Sequence, residues 1–352
     1  MYKRIITIAI STFFISCNPS SEGFQEIDIF SEFIDQRELT SDKKYDGIFI
    51  GNPLNYLEYD SLLFILESGQ DNFIRCVDIK NEKEIAFFLS KGRGPSELLH
   101  CLSIRSYGKD SIQLYGEHRK ILQFAAKDIL YDEPIKFETF SFPDSLAIRP
   151  NAVKIDDYTA LFSGTPLSQR EDKYFCMYDL KTGKYIPFGN YNEEWFNTME
   201  LKSTSKNLIA QAIIQPHPEK RLFVSVTPNF KSIEIYDLDI LEKVAGRYYE
   251  LPGIEDLSVE GLNIVLSSED KIGFTDVDCD SENIYCFYME KTPKDIDNGK
   301  MYVFVYDWEL NPKKCYIMEA YRARGMISSD KNYIYTVKQD EKGDFVLIRY
   351  SL

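Results

Sequence analysis

Short runs of apolar and aromatic residues alternate along the chain with turn-forming Asp, Asn, Gly, Pro and Lys, and few segments show helical periodicity. This pattern indicates an all-β fold. One element recurs, an apolar run that ends in Asp and is followed by a turn. Clear copies end at Asp78, Asp179, Asp237 and Asp307, and weaker copies end at positions 125 and 351. Their spacing averages about 55 residues, and a fixed period of this size is typical of repeat architectures.

A second element, a polar turn followed by an aromatic-rich strand, precedes each copy of the first. Its six copies lie at 60–65, 110–115, 157–162, 220–224, 282–287 and 331–335. Two independent elements therefore count the same six units in register. Four strands in about 55 residues is the content of one propeller blade, so we predict a six-bladed β-propeller. A parallel β-helix would show shorter repeats, and stacked sandwiches would not explain a sixfold count.

The last unit has room for three strands only, at 325–328, 333–338 and 344–350. The segment Phe24–Phe33 precedes the first unit and alternates loosely between apolar and polar residues. We expect this segment to supply the fourth strand of the last blade, because such pairing would close the ring and remove two open sheet edges. The predicted propeller domain spans residues 24–352.

The N-terminal residues 1–16 carry Lys3 and Arg4, an apolar stretch, and Ser16 directly before Cys17. This layout predicts a secretory signal peptide. The apolar stretch is about half as long as a helix that spans a bilayer, so we predict no transmembrane helix there. A cysteine at this point resembles the lipobox of bacterial lipoproteins, which implies cleavage before Cys17, lipidation of its thiol and a tether over residues 17–23. An ordinary signal peptide and a chance cysteine are the alternatives.

The formal net charge is −15, and loss of residues 1–16 would make it −17. Nucleic-acid-binding proteins are expected to carry a basic patch, so this acidic balance argues against nucleic acid as a partner. It also argues against electrostatic docking on anionic lipid. The lipid on Cys17 would instead hold the protein to the bacterial cell envelope, and we expect the outer membrane, on its periplasmic or its surface side. Several acyl chains make such an anchor stable.

Six cysteines follow Cys17, and most lie inside apolar, strand-like runs. They are Cys76, Cys101, Cys176, Cys279, Cys286 and Cys315. We expect free thiols that pack as small hydrophobes, with a Cys279–Cys286 disulfide as the alternative, since an exported protein can form one. The three histidines are far apart in sequence, and no HExxH, CxxC or metal-loop pattern occurs. We therefore expect no metal and no cofactor.

The string KGRGPSEL at 91–98 resembles the glycine-rich GxGPxE loop of TolB-like six-bladed propeller lipoproteins of Bacteroidetes. The resemblance extends over the whole mature chain through the repeat pattern, and it implies a fold and export but no established reaction. Gly92 and Gly94 allow backbone angles that are barred to other residues. The loop is either a structural turn from the first blade to the second, or an anion site formed by its exposed amides and Arg93.

The loops between blades share one face of a propeller with the loops that join second to third strands. In this chain those loops hold a mild excess of arginine, a side chain suited to carboxylates and phosphates. Trp195, in a long loop, suits stacking against a sugar or a partner surface. The candidate ligand-binding residues are Arg93, His118, Arg119, Arg149, Trp195, Arg322 and Arg324. The alternatives are arginines paired with acids at blade junctions, and a Trp195 loop that caps the ring.

No catalytic residue can be assigned from the sequence. The G-x-S-x-G motif is absent, no Ser/His/Asp order stands out, and carboxylate pairs are expected by chance among 56 acids. We favour a cell-envelope lipoprotein that acts as a ligand-binding or protein-interaction module for glycans, anionic small molecules or an envelope protein. The alternative is a polysaccharide-directed hydrolase or lyase with its site at the channel mouth. The fold does not decide between them, because function depends on the site that a fold carries.

Overall fold

The computed structural model describes residues 28–116, 120–131, 134–142, 151–164, 173–190, 211–228, 231–249, 258–260, 263–265, 273–290, 298–322 and 324–352. Within these ranges the chain forms 27 β-strands and two short 3-10 helices, Ile29–Glu32 and Ala126–Leu130. Two strands near the N-terminus come first, β1 (Gln36–Glu38) and β2 (Ser41–Ile50). No helix in the described ranges is long and apolar enough to cross a membrane.

The next sixteen strands form four antiparallel sheets, the blades, in which strands that follow one another in sequence are neighbours. Blade one consists of β3 (Asn52–Tyr59), β4 (Leu62–Ser68), β5 (Asn72–Asp78) and β6 (Lys83–Ser90). Blade two consists of β7 (Cys101–Tyr107), β8 (Ser111–Gly116), β9 (Lys120–Ala125) and β10 (Glu138–Ser141). Blade three consists of β11 (Ala152–Lys154), β12 (Thr159–Ser163), β13 (Lys173–Asp179) and β14 (Tyr185–Asn190). Blade four consists of β15 (Ile213–Pro216), β16 (Leu222–Thr227), β17 (Ser232–Asp237) and β18 (Glu242–Tyr248).

Two further blades complete the ring. A separate hairpin precedes them, formed by β19 (Ser258–Glu260) and β20 (Asn263–Val265). Blade five consists of β21 (Phe274–Cys279), β22 (Asn283–Tyr288), β23 (Asn298–Asp307) and β24 (Pro312–Tyr321), and β1 joins it parallel to β24. Blade six consists of β25 (Gly325–Ile327), β26 (Tyr333–Gln339) and β27 (Phe345–Ser351), with β2 antiparallel to β27. The prediction of a six-bladed β-propeller whose last blade is closed by an N-terminal strand is confirmed.

The segment that closes the ring differs from the one predicted. Pairing of Phe24–Phe33 with the last strand is wrong, because Ser41–Ile50 holds that place. Residues 29–32 form a 3-10 helix instead, and the Asp28 carboxylate caps it by accepting the amide of Phe30 at 3.1 Å. Residues 24–27 lie outside the described residues. Three of the six exposed positions of the true closing strand carry a charge, so its sequence lacks the apolar alternation expected of a buried strand.

Residues 28–38 strap blades four and five together. Ile29 and Phe33 are buried in one cluster with side chains of β16, β17, β21, β22 and β23. Phe33 stacks on Phe304 with ring centroids 4.9 Å apart. Glu32 accepts a hydrogen bond from the Tyr249 hydroxyl at 2.7 Å and pairs with Arg247. The segment before the closing strand therefore stabilises the ring by packing on blades four and five and by pairing β1 with β24, and it is not the fourth strand of the last blade.

The repeated aspartates end the third strands of four blades and shape the turns to the fourth strands. Asp78 accepts the backbone amides two and three residues further on at 2.9 and 3.1 Å. Asp179 and Asp237 make equivalent bonds, and Asp307 accepts the amides two and four residues further on. A short carboxylate side chain that binds nearby amides fixes such a turn. The period that predicted the repeat thus has a structural cause in each of these hairpins.

Burial falls from the middle strands of each blade to its outer edge. In β4, all five residues of Leu62–Leu66 are buried, because neighbouring blades cover both faces. In the outermost strand β6, half of the residues are exposed and a single one, Leu89, is buried. The six cysteines predicted as free thiols carry no disulfide in the described chain, and all are buried except Cys279, which is partly buried.

Candidate functional site

The first strands of the blades surround the axis of the ring. β3 contacts β7 and β25, and β21 contacts β15 and β25. Among them lies a cavity of about 270 Å³, lined by residues of blades one, two, four, five and six. Its lining includes the ends of the first strands and the turns that follow them, such as Glu58, Asp280 and Ser329. We call this side of the ring the turn face, and the side that carries the loops between blades the loop face.

Three polar side chains from different blades meet in the middle of the cavity wall. Asn55 of β3 donates its side-chain N–H to Asp276 of β21 at 3.0 Å. Arg105 of β7 donates to the other carboxylate oxygen of Asp276 at 3.1 Å. The two partners of Asp276 stand 221 and 171 residues away in sequence. A charge-assisted bond of this kind is stronger than a neutral one, so blades one and two are tied to blade five across the axis.

Asp278 lies two residues further along β21 and also lines the cavity. Burial raises the pKa of its carboxyl to about 6, and the nearby charge of Asp276 adds to the rise. The positive charge of Arg105 and the amide of Cys279, which donates to Asp278 at 2.8 Å, act in the opposite direction. The Asp278 carboxyl therefore keeps its proton to a higher pH than an ordinary aspartate.

Two more acids stand at the turn-face end of the cavity. Burial raises the pKa of Glu58, although the amide of Ser329 donates to its carboxylate at 2.5 Å. Burial also acts on Asp280, but bonds from two backbone amides, the Tyr285 hydroxyl and Lys331 outweigh it and lower the pKa. Lys331 forms an ion pair with Asp280 at 3.1 Å. The turn-face end of the cavity thus combines Asp280, which has an ion-pair partner, with Glu58, which has none among the described residues.

Gln215 of β15 lines the cavity from blade four. The residue is 8% exposed, and its side-chain oxygen is buried without a hydrogen-bond partner. Most buried polar atoms in proteins have a hydrogen-bond partner. The side-chain oxygen of Gln215 is therefore an unusual feature of the cavity wall, a buried acceptor without a donor. The neighbouring His217 has a different role, since its Nδ1 accepts the amides of Glu219 and Lys220 at 2.9 and 3.0 Å and shapes the turn after β15.

The arginines predicted from the loops do not line this cavity. Arg93 is exposed in the loop after blade one. Arg322 lies over the ring of Tyr321 at 4.9 Å, and its buried Nε has no partner. Arg324 donates to the carbonyl of Leu54, which ties the beginning of β25 to β3. The other predicted residues, His118, Arg119, Arg149, Trp195 and the lipidation residue Cys17, lie outside the described residues.

The glycine-rich loop, residues 91–98, binds a carboxylate from the loop itself, that of Glu97. The Glu97 carboxylate accepts the amide of Gly94 at 2.8 Å. A Cβ at Gly92 would meet Oε2 of Glu97 at 1.9 Å, so the glycine makes room for the carboxylate. Lys120 of blade two donates to the carbonyl of Gly94 at 3.0 Å and docks the loop on the next blade. Of the two interpretations of the GxGPxE string, the structural turn accounts for these contacts.

Sequence reasoning missed the residues of the cavity. Asn55, Arg105, Asp276 and Asp278 lie on first strands, whereas the residues predicted from the sequence lie, where the structure describes them, in loops. One signal was present, because Asp276 and Asp278 interrupt an otherwise apolar strand at every second position, which is the pattern of one strand face. Among the described side chains, no group of three or more His, Cys, Asp or Glu is placed to hold a metal ion.

Comparison with known proteins supports the architecture. The family model described as TolB-like 6-blade propeller-like matches residues 28–330. A member of the DUF4221 family from Bacteroides vulgatus ATCC 8482 superposes with a TM-score of 0.56 at 11% identity, over 89% of this chain and 97% of that one. A candidate exported protein from Bacteroides fragilis NCTC 9343 gives a TM-score of 0.51 at 13% identity, over 90% and 99%. No curated protein matches the chain. At these identities the solved structures share the fold alone, and the family match shows that the chain belongs to the TolB-like six-bladed propeller family.

Proposed function

We propose that this protein is an exported, lipid-anchored binding module of the bacterial cell envelope that holds a small polar ligand in its central cavity. The observation that carries the proposal is the convergence of polar side chains from separate blades on one cavity. A concave site with a few convergent polar groups is the usual form of a small-molecule site. A cavity of about 270 Å³ suits a small molecule or the end of a chain, not a polymer.

The proposed location rests on the N-terminal sequence and on likeness. Lys3, Arg4 and the apolar stretch before Cys17 have the layout of a lipoprotein signal. The neighbour from Bacteroides fragilis is a candidate exported protein. The acidic charge of −17 after cleavage gives the fold no attraction for an anionic membrane surface, so membrane association depends on the lipid.

Blocking the cavity tests the binding function. Ser106 is exposed and lines the cavity, whereas Leu102 is exposed on the same strand β7 and does not line it. We expect a ligand found by a thermal-shift screen of residues 18–352 to lose its stabilising effect in Ser106→Trp and to keep it in Leu102→Trp, because only a bound ligand raises the melting temperature. Equal shifts in both variants would place the ligand elsewhere and contradict the proposal.

A second candidate function is acid–base catalysis on a glycan. Asp276 and Asp278 lie two residues apart on one strand and both line the cavity. Asp276 is paired with Arg105, while burial raises the pKa of Asp278 to about 6. Carboxyls in different environments can divide the acid and base roles in this way. Release of reducing ends from envelope polysaccharides by the wild type, and its loss in Asp278→Asn, would favour the enzyme over the binding module.

A further inference from the structure

We propose that the ligand of the central cavity is a small organic cation rich in hydrogen-bond donors, such as a primary amine, held by Asp278, Glu58 and the side-chain oxygen of Gln215. This inference rests on the proposed function and adds the chemical class of the ligand. It differs from the anionic ligand expected from the loop arginines, none of which, among those described, lines the cavity.

The charges of the cavity wall favour a cation. Four carboxylates line the cavity, those of Glu58, Asp276, Asp278 and Asp280, against the two cations Arg105 and Lys331. Each cation is already paired, Arg105 with Asp276 and Lys331 with Asp280.

Glu58 and Asp278 form no ion pair with any described residue. Glu58 accepts hydrogen bonds from the amide and from the side chain of Ser329. Asp278 accepts hydrogen bonds from backbone amides, as from Cys279. The wall therefore has a surplus of two negative charges when both acids are ionised. An anion entering the cavity would face this surplus without a free cation to offset it.

Gln215 supplies the independent observation. Its side-chain oxygen is buried, has no hydrogen-bond partner and belongs to a residue that lines the cavity. An unpaired buried acceptor is unfavourable unless a donor reaches it. The carboxylates of Glu58 and Asp278 are acceptors too, and neither has a cationic partner among the described residues. A ligand that brings several N–H donors and a positive charge satisfies all three.

The donor set points to an organic cation rather than a bare metal ion. Over the described residues, no three acidic or nitrogen or sulfur ligands are grouped closely enough to hold a metal. Hard divalent cations require about six oxygen ligands in a compact shell. The cavity of about 270 Å³ instead has room for the atoms of a small amine.

Three probes of equal length test the inference on residues 18–352, which is the mature chain without its lipidation cysteine. They are 1,4-diaminobutane, 1,4-butanediol and succinate, each titrated by isothermal calorimetry. We expect the diamine to bind about tenfold or more tightly than the diol, and succinate not to bind, because unpaired acceptors repel an anion and attract a cation.

The variants Asp278→Asn and Glu58→Gln should each weaken diamine binding about tenfold, and Gln215→Leu should weaken it less. The control Asp46→Asn removes one charge from a carboxylate whose side chain is 70% exposed on β2, and it should leave binding unchanged. Circular dichroism and the melting temperature of each variant confirm that it folds.

Preferential binding of succinate, or of calcium ions added as chloride, would overturn the inference. So would absence of diamine binding, or equal weakening by Asp46→Asn and Asp278→Asn. In each of these cases the Ser106→Trp experiment separates the two claims. If a ligand from the screen binds the wild type but not Ser106→Trp, the proposed function is preserved and only the cation is rejected. If no ligand is excluded by Ser106→Trp, the cavity is not a site and both claims fail.

Discussion

Arg75 and Glu67 form a buried ion pair beside the point where the chain passes from the closing strand β2 to blade one. The guanidinium donates from Nε to Oε1 at 2.6 Å and from Nη2 to Oε2 at 3.2 Å. Oε2 also accepts the backbone amide of Gly51, the residue between β2 and β3, at 3.0 Å. The ring of Phe87 covers the guanidinium at 4.2 Å. The closure of the ring thus depends on a charged pair as well as on strand pairing.

We predict that Arg75→Ala lowers the free energy of unfolding by about 3–5 kcal/mol, because it leaves the Glu67 carboxylate buried and unpaired. Urea denaturation followed by circular dichroism measures the change. Arg37→Ala is the control, since the Arg37–Asp35 pair is exposed and exposed pairs add little to stability. A loss below about 1 kcal/mol in Arg75→Ala would show that the pair does not stabilise the closure.

The glycine-rich loop leads to a second prediction. Gly92→Ala should destabilise the protein by about 1–3 kcal/mol, because its Cβ would lie 1.9 Å from Oε2 of Glu97. The double variant Gly92→Ala/Glu97→Ala should regain part of this loss, since the clash is removed. Gly47→Ala, where a Cβ meets nothing within 4 Å, is the matched control. Thermal denaturation of the wild type, these three variants and the single variant Glu97→Ala checks both the loss and the rescue; an additive double variant would contradict the steric account.

The repeat and the six blades could be predicted because they follow from local chemistry. Asp78 and its counterparts recur since the third-to-fourth turns of four blades each contain a carboxylate that binds backbone amides. The closing strand could not be predicted because an outermost strand buries few side chains. Only Tyr45, Ile48 and Ile50 are buried in β2, whereas the more apolar residues 29–33 pack as a strap.

The cavity residues could not be predicted from the sequence for a different reason. Asn55 and Asp276 touch across 221 residues of chain, and nothing local in either segment encodes the contact. The ring places the first strands of separate blades around one axis, so these contacts depend on the closure of the whole fold. Polar residues within apolar first strands are a signal that can be interpreted once the fold is known.

Asp278 gives a prediction about pH. Its pKa in the folded protein is about 6, above the ordinary value of 3.8, mainly because the group is buried. The folded state therefore holds a proton that the unfolded state has released between about pH 4 and pH 6, and stability falls as the pH rises through this window. Asp278→Asn should remove about 2 kcal/mol of this fall, after allowance for solvent screening.

Urea denaturation at pH 4 and at pH 7 measures the effect of Asp278→Asn. The variant should equal the wild type at pH 4 and exceed it at pH 7. Asp46→Asn, at an exposed carboxylate, should show no such difference between the two pH values. A variant that is less stable than the wild type at pH 7 would mean that the ionised carboxylate is favourable in its site, contrary to the account.

Cys17 leads to a prediction about location. Because the fold has a strongly acidic charge, we expect the lipid on Cys17 to be the means of membrane attachment. Cys17→Ala should move the protein from the membrane fraction to the soluble fraction of fractionated cells, while Cys76→Ala, at a buried thiol of blade one, should leave it in the membrane. Membrane association that survives Cys17→Ala would contradict the lipid anchor.

The most direct test of the central claim is a crystal structure of residues 18–352 soaked with 1,4-diaminobutane. The account predicts electron density for the diamine inside the ring, with one nitrogen within hydrogen-bond distance of the Asp278 carboxylate and a donor on the side-chain oxygen of Gln215. Density only on the loop face, beside Arg93, Arg322 or Arg324, or an unchanged cavity at saturating diamine, would contradict it.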